Sequence, residues 1–249
     1  MPLHTTEAIV IGGHNLGEAD RIIPFFTRKL GKVRAVARGA RRVRSRYGGT
    51  LELFTLGQLV FFESPNRTLH KINEFSVIEP FAELKADLGR LSRGAYLVEL
   101  AGASIEEGES SEEIFLLLRD ALTLLALHDD SRLLRSFEIR LLRIVGYLLE
   151  LYHCLVCRSV LESIAEPAIS PTRGGLVCSR CLSRAPDNLP ISLESLGFLR
   201  SVLHGRLEQS LASPLSHPHL TSLQEVLRVC IAHFFGKRLR SVAFLSLVE

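Results

Sequence analysis

The sequence predicts an α+β protein of more than one domain, in which a small five-stranded β-barrel precedes an all-helical domain with a four-cysteine insertion. Three observations predict this class. Short apolar or alternating runs fill the first 80 residues, a period of about 3.6 residues begins at Phe81, and two Cys-x2-Cys pairs interrupt the helical part. We therefore expect domains at residues 1–80 and 81–249, with the insertion at residues 152–186.

Five runs in the first domain are typical of β-strands, because most are rich in β-branched or aromatic residues. They occupy residues 7–13, 21–27, 32–38, 56–63 and 71–77, with turn residues between them at 29–31 and 64–67. Antiparallel strands in so short a segment must protect their edges, and a closed barrel of the OB type does this. An open sheet packed on the later helices is the alternative.

The first domain also carries most of the positive charge. Residues 1–80 hold 12 Lys or Arg and 7 Asp or Glu, a net charge of +5, whereas the remaining residues have a net charge of −2. Ten cations lie between Asp20 and Glu52, with no carboxylate among them. A patch of one sign repels itself unless it faces an anion, and a nucleic-acid backbone is the commonest extended anion. A solvated surface is the alternative.

The third predicted strand places several of these cations on one face. Successive strand side chains point to opposite sides, so positions 32, 34, 36 and 38 share a face that is basic at three of its four positions. The valine and alanines between them should pack inward. A basic loop at 41–46 follows, and Tyr47 beside it is the ring that we expect to stack on a base. The predicted nucleic-acid-binding residues are Arg28, Lys32, Arg34, Arg38, Arg41, Arg42, Arg44, Arg46 and Tyr47.

Two cysteine pairs in the helical part have the spacing of a structural metal site. Cys154 and Cys157 form one pair, Cys178 and Cys181 the other, and 20 residues separate the pairs. Two intervening residues let a tight turn aim both thiolates at one metal, so we predict one structural Zn2+ held by all four. Four thiolates leave no open coordination position for catalysis. A ligand role for His153, a redox pair and unligated thiols are the alternatives.

From residue 81 onward the apolar residues recur at helical spacing. We expect one long helix over residues 82–105 with a break near Gly94, and a central helix over residues 133–151. The acidic residues between 106 and 113 are interpreted as a solvated link that caps the next helix. Cys230 lies on an apolar stripe near the C-terminus, so we interpret it as a core residue.

Several motifs of the first domain resemble those of the RecO family of recombination mediators. They are L-G-E-A-D-R-I-I at 16–23, F-T at 26–27, G-K at 31–32, A-R-G-A-R-R at 37–42, Ser45 and Leu51. The resemblance implies an OB-fold domain followed by a helical domain that carries a zinc-binding insertion in some members. It also implies a non-enzymatic role in recombinational DNA repair. Such a protein binds single- and double-stranded DNA, anneals complementary strands, and cooperates with RecR and single-strand-binding protein to load RecA.

Other function classes have less support in the sequence. The chain has no H-E-x-x-H or G-x-S-x-G motif, and we do not expect an enzyme. An RNA-binding or translation-associated OB and zinc protein is the alternative, because the same fold and charge serve RNA. Residues 1–13 lack the basic start of a signal peptide, and no apolar run reaches the roughly 18 residues of a membrane span. We therefore expect a cytoplasmic protein without a membrane partner, associated with the bacterial nucleoid when bound to DNA.

Overall fold

The computed structural model describes residues 2–64, 68–147, 150–160, 167–236 and 239–245. These form two compact units, one over residues 1–128 and 239–249 and the other over residues 129–238. Strands give way to helices between Glu79 and Ala82, where the sequence predicts the domain boundary. The first three helices nevertheless share a unit with the strands, and the division into domains at residue 80 stays a prediction.

Six strands build the sheet of the first unit. They are β1 (Leu3–Val10), β2 (His14–Leu16), β3 (Asp20–Thr27), β4 (Gly31–Ala37), β5 (Leu56–Phe62) and β6 (His70–Glu79). Five of them close a barrel in the order β1, β5, β6, β4, β3 and back to β1, where Val10 pairs with Phe25. This Greek-key closure, in which only β4 and β6 run parallel, confirms the OB-type barrel and excludes the open sheet. β2 adds an unpredicted hairpin to β3. Residues 65–67 of the predicted turn lie outside the described residues.

Alternation along β4 separates the barrel interior from its surface. Val33, Ala35 and Ala37 are buried, whereas Arg34 and the following Arg38 are exposed, as the sequence predicts. A fully buried aromatic ring stabilises the fold by about 1.5–3 kcal/mol relative to an exposed one. The small residues of β4 face an interior that other strands fill with larger side chains, among them Phe25, Phe61 and Phe75.

The first helix differs from its prediction in where it breaks. The first unit contains α1 (Ala82–Ala86), α2 (Leu88–Ala103), α3 (Glu112–Leu127) and a short C-terminal helix (Ser241–Leu245). The break predicted near Gly94 lies at Asp87, which is extended and whose carboxylate accepts a hydrogen bond from the Arg90 amide at 2.8 Å. Gly94 lies within α2, where a Cβ atom would come within 2.8 Å of the Phe54 ring. It is therefore a packing position.

The second unit combines helices with a small sheet. It contains α4 (Ser131–Ile144), β7 (Ala168–Ser170), β8 (Gly175–Val177), β9 (Leu189–Pro190), α5 (Leu193–His204) and α6 (His217–Phe235). The helix predicted over residues 133–151 ends at Ile144, because Gly146 adopts a φ of 81° that other residues rarely take. Leu148 of that prediction lies outside the described residues. Cys230 is fully buried in α6, which confirms it as a core residue. Within the described ranges, no helix has the length and apolar character needed to cross a membrane.

Gly94→Ala tests the packing position in α2. The added methyl group collides with the Phe54 ring, so we expect the free energy of unfolding, measured by urea denaturation, to fall by about 1–3 kcal/mol. Gly197→Ala is the matched control, because Gly197 lies within α5 and a Cβ there meets nothing within 4 Å. That variant should be neutral or stabilise by up to about 1 kcal/mol, since alanine favours a helix. Equal effects of the two substitutions would contradict the packing role.

Candidate nucleic-acid interface and metal centre

Arg28, just after β3, is held by two carboxylates of its own chain. Its Nη1 atom donates to Glu7 Oε2 at 2.7 Å, and its Nη2 atom lies 2.6 Å from Glu112 Oε1. The hydrogen bond to Glu7, followed by the interactions with Glu112, raises the pKa of the guanidinium above its ordinary value. The charge of Arg28 is therefore matched within the protein.

The outward-facing cations of β4 also contact groups of their own chain. Arg34 forms an ion pair with Glu107, and Lys32 Nζ donates to the Gly102 carbonyl oxygen at 3.0 Å. Glu107 belongs to the acidic link, which we define as residues 104–111 between α2 and α3. The composition of the link predicts a solvated cap of the next helix, but in the structure the link lies against β4. The pairing joins residues far apart in the chain, so the sequence offers only the opposite charges as a signal.

The basic loop predicted at residues 41–46 begins at Arg38 in the structure, because β4 ends at Ala37, and we define it from here on as residues 38–46. It leaves the barrel at the end of β4, and its charged side chains are exposed. Arg38, Arg42 and Arg44 are exposed to solvent. Among the residues that the structure describes, none of these three guanidinium groups has a carboxylate partner. Their charges are therefore available to an external anion.

The other two arginines of the basic loop bind neutral acceptors. Arg41 Nη1 donates to the Gly17 carbonyl oxygen at 2.7 Å, and Arg46 Nη2 donates to the Tyr47 hydroxyl at 2.6 Å. These hydrogen bonds restrain the side chains without cancelling their charge. Five of the eight predicted cations thus lie together in one loop, whereas the other three contact residues 102–112 of the same chain.

Backbone hydrogen bonds hold the basic loop in successive turns. The amides of Arg42 and Ser45 donate to the carbonyl oxygens of Gly39 and Arg42 at 3.1 and 3.0 Å. Gly39 adopts a φ of 70°, and its amide donates to Asp20 Oδ1 at 2.8 Å, which ties the loop to the start of β3. A loop ordered in advance loses less conformational entropy when it binds a ligand.

The structure places Tyr47 in the barrel core instead of on the predicted binding surface. Its side chain is only 4% exposed, and the Arg46 Cζ atom lies 4.7 Å from its ring centroid. A ring in this position presents no free face to a base. Adjacency to the basic loop suggested the stacking role, but adjacency in sequence does not determine the direction of a side chain.

Four cysteines of the second unit converge, as their spacing predicts. The sulfur atoms of Cys154, Cys157, Cys178 and Cys181 all lie within 4.8 Å of one another, and those of Cys157 and Cys178 are 3.7 Å apart. Tetrahedral thiolate sites with metal–sulfur distances near 2.3 Å require sulfur–sulfur separations of about 3.8 Å. The donor set and its spacing therefore fit a bound metal ion.

Hydrogen bonds favour the thiolate form at two of these sulfur atoms, those of Cys154 and Cys157. The amides of Val156 and Cys178 each donate to Cys154 Sγ at 3.4 Å. The Ser159 hydroxyl lies 3.0 Å from Cys157 Sγ and, together with the Ser159 amide, lowers the pKa of the Cys157 thiol to about 6. The thiolate is the form that binds metal ions.

His153 does not belong to the cysteine cluster. Its side chain is exposed, and its Nδ1 atom lies 3.5 Å from Glu150 Oε1. Three of the four cysteines are buried and only Cys157 is exposed, which suits a structural site with little access for water. Residues 161–166 of the predicted insertion lie outside the described residues.

Both parts of the chain match sequence models of one family. The model described as "Recombination protein O N terminal" matches residues 1–81. The model described as "Recombination protein O C terminal" matches residues 85–243. The two matches together cover the barrel, the helices and the four cysteines.

Similar proteins align with nearly the whole chain. A DNA repair protein RecO of Syntrophus aciditrophicus is 34% identical over 252 residues, which cover 99% of this chain and 96% of the relative. Its counterpart in Roseiflexus is 35% identical over 247 residues, or 98% of this chain and 85% of the relative. That of Symbiobacterium thermophilum is 32% identical over 249 residues, with 99% and 98% covered.

Proposed function

This chain belongs to the RecO family of DNA repair and recombination proteins, and on that premise we propose that it is a DNA-binding recombination mediator. In this proposal it binds single- and double-stranded DNA and anneals complementary strands. It also acts with RecR to load RecA on DNA covered by single-strand-binding protein. When bound to DNA it is associated with the bacterial nucleoid.

The main support for this proposal is the cluster of arginines in the basic loop, which have no carboxylate partner among the described residues. Five arginines lie in one short segment at the end of β4, and none of them faces a carboxylate in the described part of the chain. Exposed pairs of opposite charge cancel much of each other's field, whereas an unmatched cluster attracts polyanions from solution. The loop also follows directly on β4. In many OB-type barrels, the second and third barrel strands, which are β3 and β4 here, form a face that binds nucleic acid.

Annealing follows from charge neutralisation without covalent chemistry. Two DNA backbones repel each other, and guanidinium groups that contact phosphates reduce this repulsion while leaving the bases free to pair. Duplex formation is itself favourable, so the proposed reaction needs no nucleotide hydrolysis and no catalytic residue. Phosphate contacts carry no base information, and binding should therefore show little sequence preference.

We also propose that the four-cysteine cluster holds one structural Zn2+. Zinc prefers a tetrahedral set of thiolates, and the sulfur separations support that arrangement. Four protein ligands leave no position for a reactive water molecule. The ion would instead join the turn that contains Cys154 to the segment that follows β8.

Replacing three loop arginines together tests the DNA interface. The variant with Arg41→Ala, Arg42→Ala and Arg44→Ala should bind single-stranded DNA more weakly, because three phosphate contacts are lost. The slope of log affinity against log salt, measured by fluorescence anisotropy, should become shallower by about 2.

A control with the same charge change separates local contact from overall charge. Arg119, Arg206 and Arg228 each pair with a nearby carboxylate on the surface, and the triple alanine variant at these positions should keep most of the salt slope. A loss of the same size in both variants, or no loss in the loop variant, would refute the assignment of the DNA interface.

Metal analysis tests the proposed zinc site. We expect one zinc ion per chain in purified protein, because four thiolates converge within 4.8 Å. A chelator should lower the melting temperature and accelerate amide hydrogen exchange around the four cysteines. Cys157→Ser should reduce the zinc content, whereas Cys230→Ser should retain it, since Cys230 lies in the core of α6. Wild-type protein that contains no zinc would rule out the site.

A further inference from the structure

Three cations on one side of the barrel all contact the same neighbouring segment, residues 102–112. We name these cations the strand surface: Arg28, Lys32 and Arg34. Their partners in the segment are, respectively, Glu112, Gly102 and Glu107. The backbones are close here as well, because a Cβ atom on Gly31 would overlap the Glu109 carbonyl oxygen.

The strand surface is continuous with the basic loop. Lys32 and Arg34 occupy outward positions on β4, and the same face continues through Val36 to Arg38, the first residue of the basic loop. DNA that follows the basic loop onto β4 would therefore meet the acidic link at Glu107. The two basic regions differ in one respect: carboxylates form ion pairs with Arg28 and Arg34 of the strand surface, whereas no carboxylate in the described chain pairs with an arginine of the basic loop.

The ion pairs that cover the strand surface are open to solvent. The side chains of Arg34 and Glu107 are 47% and 56% exposed, and those of Arg28 and Glu112 are 36% and 58% exposed. Exposed ion pairs are weak and are screened by salt. Phosphates bind guanidinium groups with the same two-pronged geometry as carboxylates. A DNA strand already held at the basic loop has a high effective concentration here and can compete with the link.

We propose that the strand surface is a second DNA-contacting surface, which residues 102–112 cover until DNA bound at the basic loop displaces the side chains of Glu107 and Glu112. In the protein without DNA, the carboxylates of Glu107 and Glu112 occupy the places that phosphates take in the complex. This inference rests on the proposed DNA-binding function and adds the extent and the control of the DNA footprint. A short strand occupies the basic loop alone, and a longer strand extends along β4.

Neutralising Glu107 tests the cover directly. Glu107→Gln should bind long single-stranded DNA about fivefold more tightly than the matched control Glu106→Gln, because no ion pair has to be broken, whereas the two variants should bind a short strand equally. Glu106 is exposed, is adjacent in the same link, and has no ion pair in the described residues. Both variants change the net charge equally. Equal affinities of the two variants for long single-stranded DNA would overturn the inference.

The arginine partner provides a second test. In the otherwise wild-type protein, Arg34→Gln should hardly change the affinity for a short strand, because Glu107 covers Arg34 when only the basic loop is occupied. In the Glu107→Gln background, the same substitution should remove the gain in affinity for long single-stranded DNA. A loss in the wild-type background as large as that of Arg42→Gln would show that Arg34 contacts DNA without displacement of the link, and would contradict the inference. Failure of Arg42→Gln itself to weaken binding would instead refute the proposed DNA function.

Discussion

The alternation of small apolar and cationic residues along β4 is the constraint on which the rest of the first unit depends. The strand lies between β3 and β6 in a closed barrel, so its inward side chains have little room and its outward side chains must meet solvent or another element. Val33, Ala35 and Ala37 satisfy the first condition, and the cations satisfy the second. A shift of one residue in register would bury the guanidinium groups, at a cost that no partner in the barrel could offset.

The outward cations must then avoid repelling one another, and the protein does this in two ways. Along the barrel, carboxylates from elsewhere in the chain face Arg28 and Arg34. In the basic loop, the guanidinium groups have no carboxylate partner in the described residues, and hydrogen-bonded turns of the backbone hold the arginines in place. Arginines without a carboxylate partner repel one another and slightly destabilise the folded protein. Because the loop that carries them is already ordered, they can bind an external anion with a smaller loss of conformational entropy.

Local patterns in the sequence predicted the strands, the faces of β4 and the four-cysteine cluster. Each depends on residues close together in the chain, where strand alternation or a two-residue turn sets the geometry. Three of the wrong predictions, at Gly94, Glu107 and Tyr47, involve contacts between segments of the chain that the local pattern does not show. Gly94 suggested a break in α2, but the packing of Phe54 requires a glycine there. Likewise, no local pattern shows that Glu107 meets Arg34 or that Tyr47 turns into the core.

The second unit shows why a metal ion suits this region. Its strands β7, β8 and β9 contain only three, three and two residues, and a sheet so small gains little from its own hydrogen bonds. Asp187 supplies one fixed point: burial opposes its charge, but hydrogen bonds from Thr172 and Ser170 lower its pKa to about 2. A metal ion held by the cysteines would be a second fixed point, at the segment that follows β8. Since a structural metal contributes its binding free energy to folding, it can add to the stability that such short strands gain from their few hydrogen bonds.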